Sequence, residues 1–167
     1  MKNENRLNII RPFGPAVGST NIPETLINKI NNFVDGVIKD KNKSKKLDAG
    51  KYLAGQVTQE IYLPSEIMDG ELLNFFGKIT KVFVENLTKK KVTKFNLIKC
   101  WVVRQFQNEY NPTHWHSGHI SGAGYLKLPD SFGSSKQPDK KLNLNGQINF
   151  THGTTQFLSN SVISQKP

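Results

Sequence analysis

The sequence has little cysteine and little arginine. Cys100 is its only cysteine, and its arginines are Arg6, Arg11 and Arg104. A single cysteine excludes an intramolecular disulfide and is typical of a reducing, intracellular setting. No apolar run approaches the roughly 18 residues of a membrane-spanning helix, and the N-terminus MKNENRLNIIRPFG lacks the continuous hydrophobic region of a secretory signal. We therefore expect a cytoplasmic protein with no membrane partner.

Acidic residues are few relative to basic ones, and the formal net charge is +10. Such an excess raises the question of a nucleic-acid partner. The lysines cluster in KDKNKSKK (39–46) and TKKKVTK (88–94), and no aromatic residues that could stack on bases lie between them. We interpret these clusters as solvated surface, with a phosphate-binding patch as the alternative.

Hydrophobic periodicity predicts two helices in the first half of the chain. The first spans 23–40, with Pro23 in its first turn, where a missing N–H costs nothing. The second spans about 65–87. The expected buried positions are Leu26, Ile27, Ile30, Phe33, Val34, Val37 and Ile38 in the first helix, and Leu72, Leu73, Phe76, Ile79, Phe83 and Leu87 in the second. The polar segment KDKNKSKKLDAGK between them is predicted to be an exposed loop.

The remaining apolar segments have the composition and the alternation that are typical of strands. LAGQVTQEIYLP (53–64) is rich in β-branched residues and partly alternating. From Phe95 onward four more segments read as strands: FNLIKCWVVRQF, GHISGAGYLKLP, LNGQINFTHG and TQFLSNSVISQ. We expect one α+β domain over 1–167, with a mainly helical region at about 1–90 and an antiparallel sandwich or barrel at about 95–167.

Three of the four histidines lie within the stretch YNPTHWHSGHISGAGYLKLP: His114, His116 and His119. In a strand, residues i and i+2 point to the same face, so His114 and His116 can aim into one cavity. Neutral imidazole suits iron, zinc, copper and nickel. The spacing therefore favours a metal site formed by His114 and His116, with His119 outside it. The alternative is a pair of strand histidines that only make hydrogen bonds.

The run WVVRQFQNEYNPTHWHSGHISGAGYLKLP resembles the metal-binding half of a 2-oxoglutarate- and Fe(II)-dependent oxygenase. It is most similar to the branch carried by large tailed phages and some marine bacteria, and IRPFGP and LAGQVTQEI are similar to that branch as well. The resemblance implies a prolyl-hydroxylase-like jelly-roll (a double-stranded β-helix), Fe(II) as cofactor, and 2-oxoglutarate and O₂ as cosubstrates. It also implies hydroxylation of a C–H bond with release of succinate, in the host cytoplasm if the protein is phage-encoded.

Five residues take roles by this resemblance. His114 matches the first iron ligand, and His116 stands where most members have a carboxylate. Tyr125 matches a tyrosine of the 2-oxoglutarate pocket, and Ser121 would lie beside it. Arg104 matches another cosubstrate position more loosely.

The C-terminal end departs from the family pattern. The family places a third histidine ligand and a cosubstrate-binding arginine on late strands, whereas this chain ends at SVISQKP with His152 as its last histidine. We expect the chain to be the N-terminal part of such an enzyme, with an incomplete jelly-roll. Two other readings stay open: a non-catalytic jelly-roll module for binding or for a virion, and a cupin-like metalloenzyme that uses His114, His116 and His152.

Overall fold

The computed structural model describes residues 7–11, 15–134 and 143–150. The chain divides into two compact units, of which the first ends at Ala123 and the second begins at Gly124. One domain over 1–167 stays a prediction. The first unit contains these elements: β1 (Asn8–Ile10), β2 (Val17–Ser19), α1 (Glu24–Lys39), α2 (Lys41–Lys46), β3 (Gln59–Tyr62), α3 (Ser65–Met68), α4 (Glu71–Thr88) and β4 (Trp101–Arg104).

Helix α1 confirms the prediction over 23–40. The carbonyl of Pro23 accepts hydrogen bonds from the backbone N–H groups of Leu26 and Ile27. Glu24 in the first turn and Lys39 in the last turn have the charges that the helix dipole favours. The buried side chains follow the predicted stripe: Leu26, Ile30, Val34 and Val37.

The segment after α1 corrects the sequence prediction. Residues 41–46, expected to form an exposed loop, form helix α2. Asp40 explains the difference, because its carboxylate accepts the backbone N–H of Asn42 at 3.0 Å and that of Lys43 at 3.1 Å. An aspartate in this position caps a helix N-terminus. Asp40 therefore ends α1 and begins α2.

The second predicted helix is present but divided. Helix α3 covers Ser65–Met68 and α4 covers Glu71–Thr88. Gly70 lies between them with φ of 72°, a conformation that a helix cannot contain and that favours glycine. Leu72 is fully buried, whereas the other predicted core positions of α4 are half-buried. Neither α4 nor any other helix of the described residues is long and apolar enough to cross a membrane.

The strands form two small antiparallel sheets, β1 with β2 and β3 with β4. Strands β3 and β4 lie inside the segments predicted as 53–64 and 95–106. Two more predicted strands, 118–129 and the described part of 144–153 (144–150), have no regular secondary structure. The last predicted strand, 155–165, lies outside the described residues. A strand needs a neighbour for its backbone N–H and C=O groups, and in the part of the chain that the structure describes no strand pairs with 118–129 or 144–150. The fold is therefore α+β, with small sheets.

The register of β3 and β4 separates two faces of their sheet. Glu60 lies opposite Val103 and Tyr62 opposite Trp101, and paired residues of an antiparallel ladder share a face. The other face carries Ile61, which is 2% exposed, and Arg104, whose guanidinium lies 3.7 Å from Asp35 of α1. The buried apolar residues are Leu26, Ile30, Val34, Val37, Ala49, Ile61, Leu63, Met68 and Leu72.

The second unit is held by asparagine side chains within its described residues, 124–134 and 143–150. Asn143 donates to the carbonyl of Gly133 at 2.8 Å. Asn145 donates to the carbonyls of Phe132 at 3.0 Å and Ser134 at 3.1 Å. These bonds join the two described segments of the unit without a β ladder.

Candidate metal centre

His114 and His116, termed the histidine pair below, lie side by side in a segment without regular secondary structure. The segment follows a single β-bridge between Gln56 and Tyr110. The two Nε2 atoms are 3.1 Å apart, and the ring centroids are 4.7 Å apart. Trp115, between them in the chain, is 88% exposed. The structure therefore brings the predicted ligands together, while their binding of a metal stays a prediction.

The orientation of His114 suits a metal ligand. Its Nδ1 lies 2.7 Å from the carbonyl oxygen of Pro112. Since a carbonyl only accepts, Nδ1 must carry the hydrogen in this bond, and the neutral ring then has its lone pair on Nε2. A backbone carbonyl bonded to the far nitrogen is the usual way in which proteins fix the tautomer of a ligating histidine.

The separation of the Nε2 atoms also suits two ligands of one ion. Two nitrogens bonded to a metal at about 2.1 Å are roughly 3.0 Å apart at right angles and roughly 3.4 Å apart in a tetrahedron. The observed 3.1 Å falls between these values. Without a metal, the same distance fits a hydrogen bond from Nε2–H of His116 to Nε2 of His114. For both Nε2 atoms to bind an ion, the hydrogen of His116 would move to its Nδ1.

The surroundings of His116 favour the form that binds metal. Burial lowers the pKa of His116 from its ordinary value of 6.5, and the proximity of His114 lowers it further. The indole of Trp101 contributes to this environment, with its centroid 5.6 Å from that of the His116 ring. The lowered pKa favours the neutral form of His116, and only the neutral imidazole ligates.

A third ligand does not complete the site within the described residues. No group of three His, Cys, Asp or Glu side chains there is arranged to hold a metal. Neither ring of the histidine pair is hydrogen-bonded to His119 among the contacts of the described segment. His152, the third ligand in the cupin-like alternative, lies outside the described residues.

Glu60, which interacts electrostatically with His114, is not among the site residues predicted from the sequence. Burial raises the pKa of Glu60, nearby Asp48 raises it further, and His114 acts in the opposite direction. Glu60 and Trp101 share one face of the β3–β4 sheet, and Trp101 contacts His116. A carboxylate in the middle of the apolar segment VTQEIYL was the available signal, because charged residues are rarely buried without a reason.

Of the predicted cosubstrate residues, Arg104 and Ser121 belong to the first unit, as the histidine pair does, and Tyr125 belongs to the second. Arg104 lies on the sheet face opposite Trp101 and pairs with Asp35. Ser121 is exposed. Tyr125 belongs to the second unit, where its hydroxyl donates to the carbonyl of Gly146 at 2.7 Å. In that bond the tyrosine uses its only hydrogen.

No family model, no curated protein and no solved structure matches this chain. The interpretation of the site therefore depends on its own residues and geometry.

Proposed function

We propose that the chain is, or belongs to, an Fe(II)- and 2-oxoglutarate-dependent oxygenase in which the histidine pair holds the iron, and that its complete fold is a jelly-roll. The observation that carries the proposal is the 3.1 Å approach of two Nε2 atoms, one of which is oriented by the Pro112 carbonyl. Bound iron supplies the oxidation of a substrate C–H bond by O₂, coupled to decarboxylation of 2-oxoglutarate to succinate.

The two histidines have distinct tasks in this proposal. His114 offers a lone pair in a fixed direction, because the Pro112 carbonyl holds its other nitrogen. His116 favours its neutral form, because its pKa is lowered. Two neutral ligands leave the charge of a divalent ion uncompensated, which favours binding of an anionic chelator such as 2-oxoglutarate.

Ser121 and Tyr125 are our candidates for hydrogen bonds to the cosubstrate. A hydrogen bond from a neutral hydroxyl to a carboxylate contributes roughly 1.5–3 kcal/mol, because the acceptor is charged, and an arginine adds a second parallel bond and the opposite charge. Arg104 would supply more, but its guanidinium is engaged with Asp35 on the other sheet face. By the resemblance the cosubstrate contact falls to Ser121 and Tyr125, and Tyr125 would have to exchange its bond to the Gly146 carbonyl for one to the cosubstrate.

An anaerobic titration of the metal-free chain tests the assignment. Fe(II) is added first and 2-oxoglutarate second, and the visible absorption of the iron–2-oxoglutarate chelate is recorded. We expect one ion per chain, and we expect His114→Ala and His116→Ala each to weaken metal binding by well over tenfold. His119→Ala is the matched control and should bind as the unmodified chain does.

Succinate release under air tests the catalytic part. Release that depends on both histidines supports an oxygenase. Stoichiometric metal binding without 2-oxoglutarate binding or succinate would instead indicate the non-catalytic module. If the His114→Ala and His116→Ala variants bind iron as tightly as the unmodified chain, the metal assignment is wrong.

A further inference from the structure

Glu60 is a buried carboxylate without hydrogen-bond partners. It lies in the middle of β3 with a relative exposure of 2%, and neither Oε1 nor Oε2 has a partner. Burying a charged group without compensation costs several kcal/mol. A buried group of this kind calls for a chemical reason, such as an ion.

Two glycines, Gly50 and Gly55, lie beside the carboxylate of Glu60. A Cβ atom placed on Gly55 would lie 2.7 Å from Oε1 of Glu60 and 2.6 Å from Oδ1 of Asn111. A Cβ atom placed on Gly50 would lie 3.3 Å from Oε2 of Glu60 and 3.2 Å from Oδ1 of Asp48. Oε1 of Glu60 and Oδ1 of Asn111 therefore border one space beside Gly55, which a side chain there would fill, and Oε2 of Glu60 and Oδ1 of Asp48 border another beside Gly50.

The amide of Asn111 has a defined orientation. Gln105 donates through Nε2 to the carbonyl of Glu109 at 2.7 Å, which leaves its Oε1 as an acceptor. Asn111 donates through Nδ2 to that Oε1 at 3.4 Å. Its own Oδ1 is thus directed towards Glu60, because the network fixes which end of the amide is the oxygen.

Backbone hydrogen bonds hold the parts in place. Ala49 donates to the carbonyl of Glu60 at 2.8 Å, next to the bridge between Asp48 and Ile61. Gln56 donates to the carbonyl of Tyr110 at 2.8 Å, and this bond places Gly55 beside Asn111. Asp48 and Asn111 are exposed while Glu60 is buried, so the group opens to solvent at its rim.

We propose that Asp48, Glu60 and Asn111 form a binding site for a hard divalent cation of the Ca²⁺ type, separate from the histidine pair. Two carboxylates and an amide oxygen are the ligands that Ca²⁺ prefers, and its flexible coordination accepts water at an open rim. The cation compensates the charge of Glu60, which no donor of the described residues does. The raised pKa of Glu60 agrees with this need. The proposal does not depend on the proposed function.

The competing explanation is a protonated Glu60 that donates its O–H to a neighbouring oxygen. Such a group needs no cation, and Ca²⁺ would then have no effect on the protein. The two explanations differ in a measurable way, since only the cation site makes stability depend on Ca²⁺ concentration.

Calorimetric titration of the metal-free full chain with Ca²⁺ at pH 7 tests the proposal. The titration uses the His114→Ala, His116→Ala double variant, so that the histidine pair does not contribute. We expect one ion per chain and a rise in the thermal midpoint with added Ca²⁺. Glu60→Gln should weaken binding by more than a hundredfold, and Asp48→Asn or Asn111→Ala by about tenfold or more.

Gly55→Ala tests the geometry without removing a ligand. Its methyl group would collide with Glu60 and Asn111, so we expect at least a tenfold loss of Ca²⁺ affinity. Gly36→Ala in α1 is the matched control, because a Cβ there meets nothing within 4 Å, and its affinity should not change. The proposal is overturned if Ca²⁺ produces neither heat nor a midpoint shift, or if a folded protein with Glu60→Gln added to the double variant binds Ca²⁺ as the double variant itself does.

Discussion

Glu109 joins two distant parts of the chain through one carboxylate. Its Oε2 accepts the backbone N–H of Phe106 at 2.8 Å. Its Oε1 accepts the hydroxyl of Thr58 at 2.7 Å and the backbone N–H of the same residue at 3.0 Å. These donors favour the charged form, so they hold the pKa of Glu109 below its ordinary value of 4.5, with the Phe106 bond the largest cause.

This lowered pKa predicts how stability depends on pH. A carboxyl whose pKa is lower in the folded protein than in the unfolded chain stabilises the fold above the unfolded value, and the effect is lost as pH falls through the folded value. Glu109→Gln should therefore lower the urea midpoint at pH 7, and the difference should disappear in stronger acid, below pH 4.5. Asp130→Asn, which removes one charge elsewhere, is the control and should show no such trend. A Glu109→Gln deficit that persists unchanged at low pH would contradict this explanation.

At the scale of elements, the most buried apolar side chain of the described strands is that of Ile61 in β3. Ile61 is 2% exposed, and truncation of a buried isoleucine to alanine costs about 2–5 kcal/mol. We expect Ile61→Ala to lower the free energy of unfolding by that amount in urea denaturation. Ile98→Ala is the matched control, because Ile98 is 67% exposed, and it should change stability by no more than about 0.5 kcal/mol. Equal losses of stability in the two variants would contradict the burial of Ile61.

The helices could be predicted from the sequence because their signal is local. The apolar stripe of α1 repeats at helical spacing, and its ends at Glu24 and Lys39 were anticipated within one residue. Helix α2 was missed because lysine-rich composition suggested a loop, while a single capping side chain, Asp40, decides the structure there. The strand predictions at 118–129 and, over its described residues 144–150, at 144–153 are wrong because alternation shows only that a segment could pair, and a partner must exist elsewhere in the chain.

The candidate metal centre was predictable only in part for the same reason. The spacing of His114 and His116 is local, and it placed the two rings together. The position of Glu60 beside Asn111 depends on the bridge between Gln56 and Tyr110, more than fifty residues apart in sequence. No local pattern records such a pairing.

For the whole molecule, the net charge of +10 is concentrated in short lysine clusters. Helix α2 contains Lys41, Lys43, Lys45 and Lys46 and buries none of its residues. A solvated surface of this kind attracts polyanions without specificity, and the attraction weakens steeply with salt.

This charge distribution predicts weak binding to duplex DNA. We expect a dissociation constant no tighter than about 1 μM at physiological salt, equal for unrelated sequences. Fluorescence anisotropy at low and high salt measures it, with a variant that carries glutamine at the four lysines of α2 as control. Tight binding that depends on sequence would indicate a working phosphate-binding patch instead.

Trp115 gives the histidine pair an optical reporter. Its indole is 88% exposed, so it should emit at long wavelength and be reached by dissolved iodide. Trp101, the only other tryptophan, is half-buried against His116 and should emit at shorter wavelength. A paramagnetic ion bound to the histidine pair would lie close to both indole rings and quench both emissions. Iodide would quench mainly the long-wavelength emission of Trp115. Occupancy of the pair and exposure of its flank can thus be followed separately by fluorescence in the unlabelled protein.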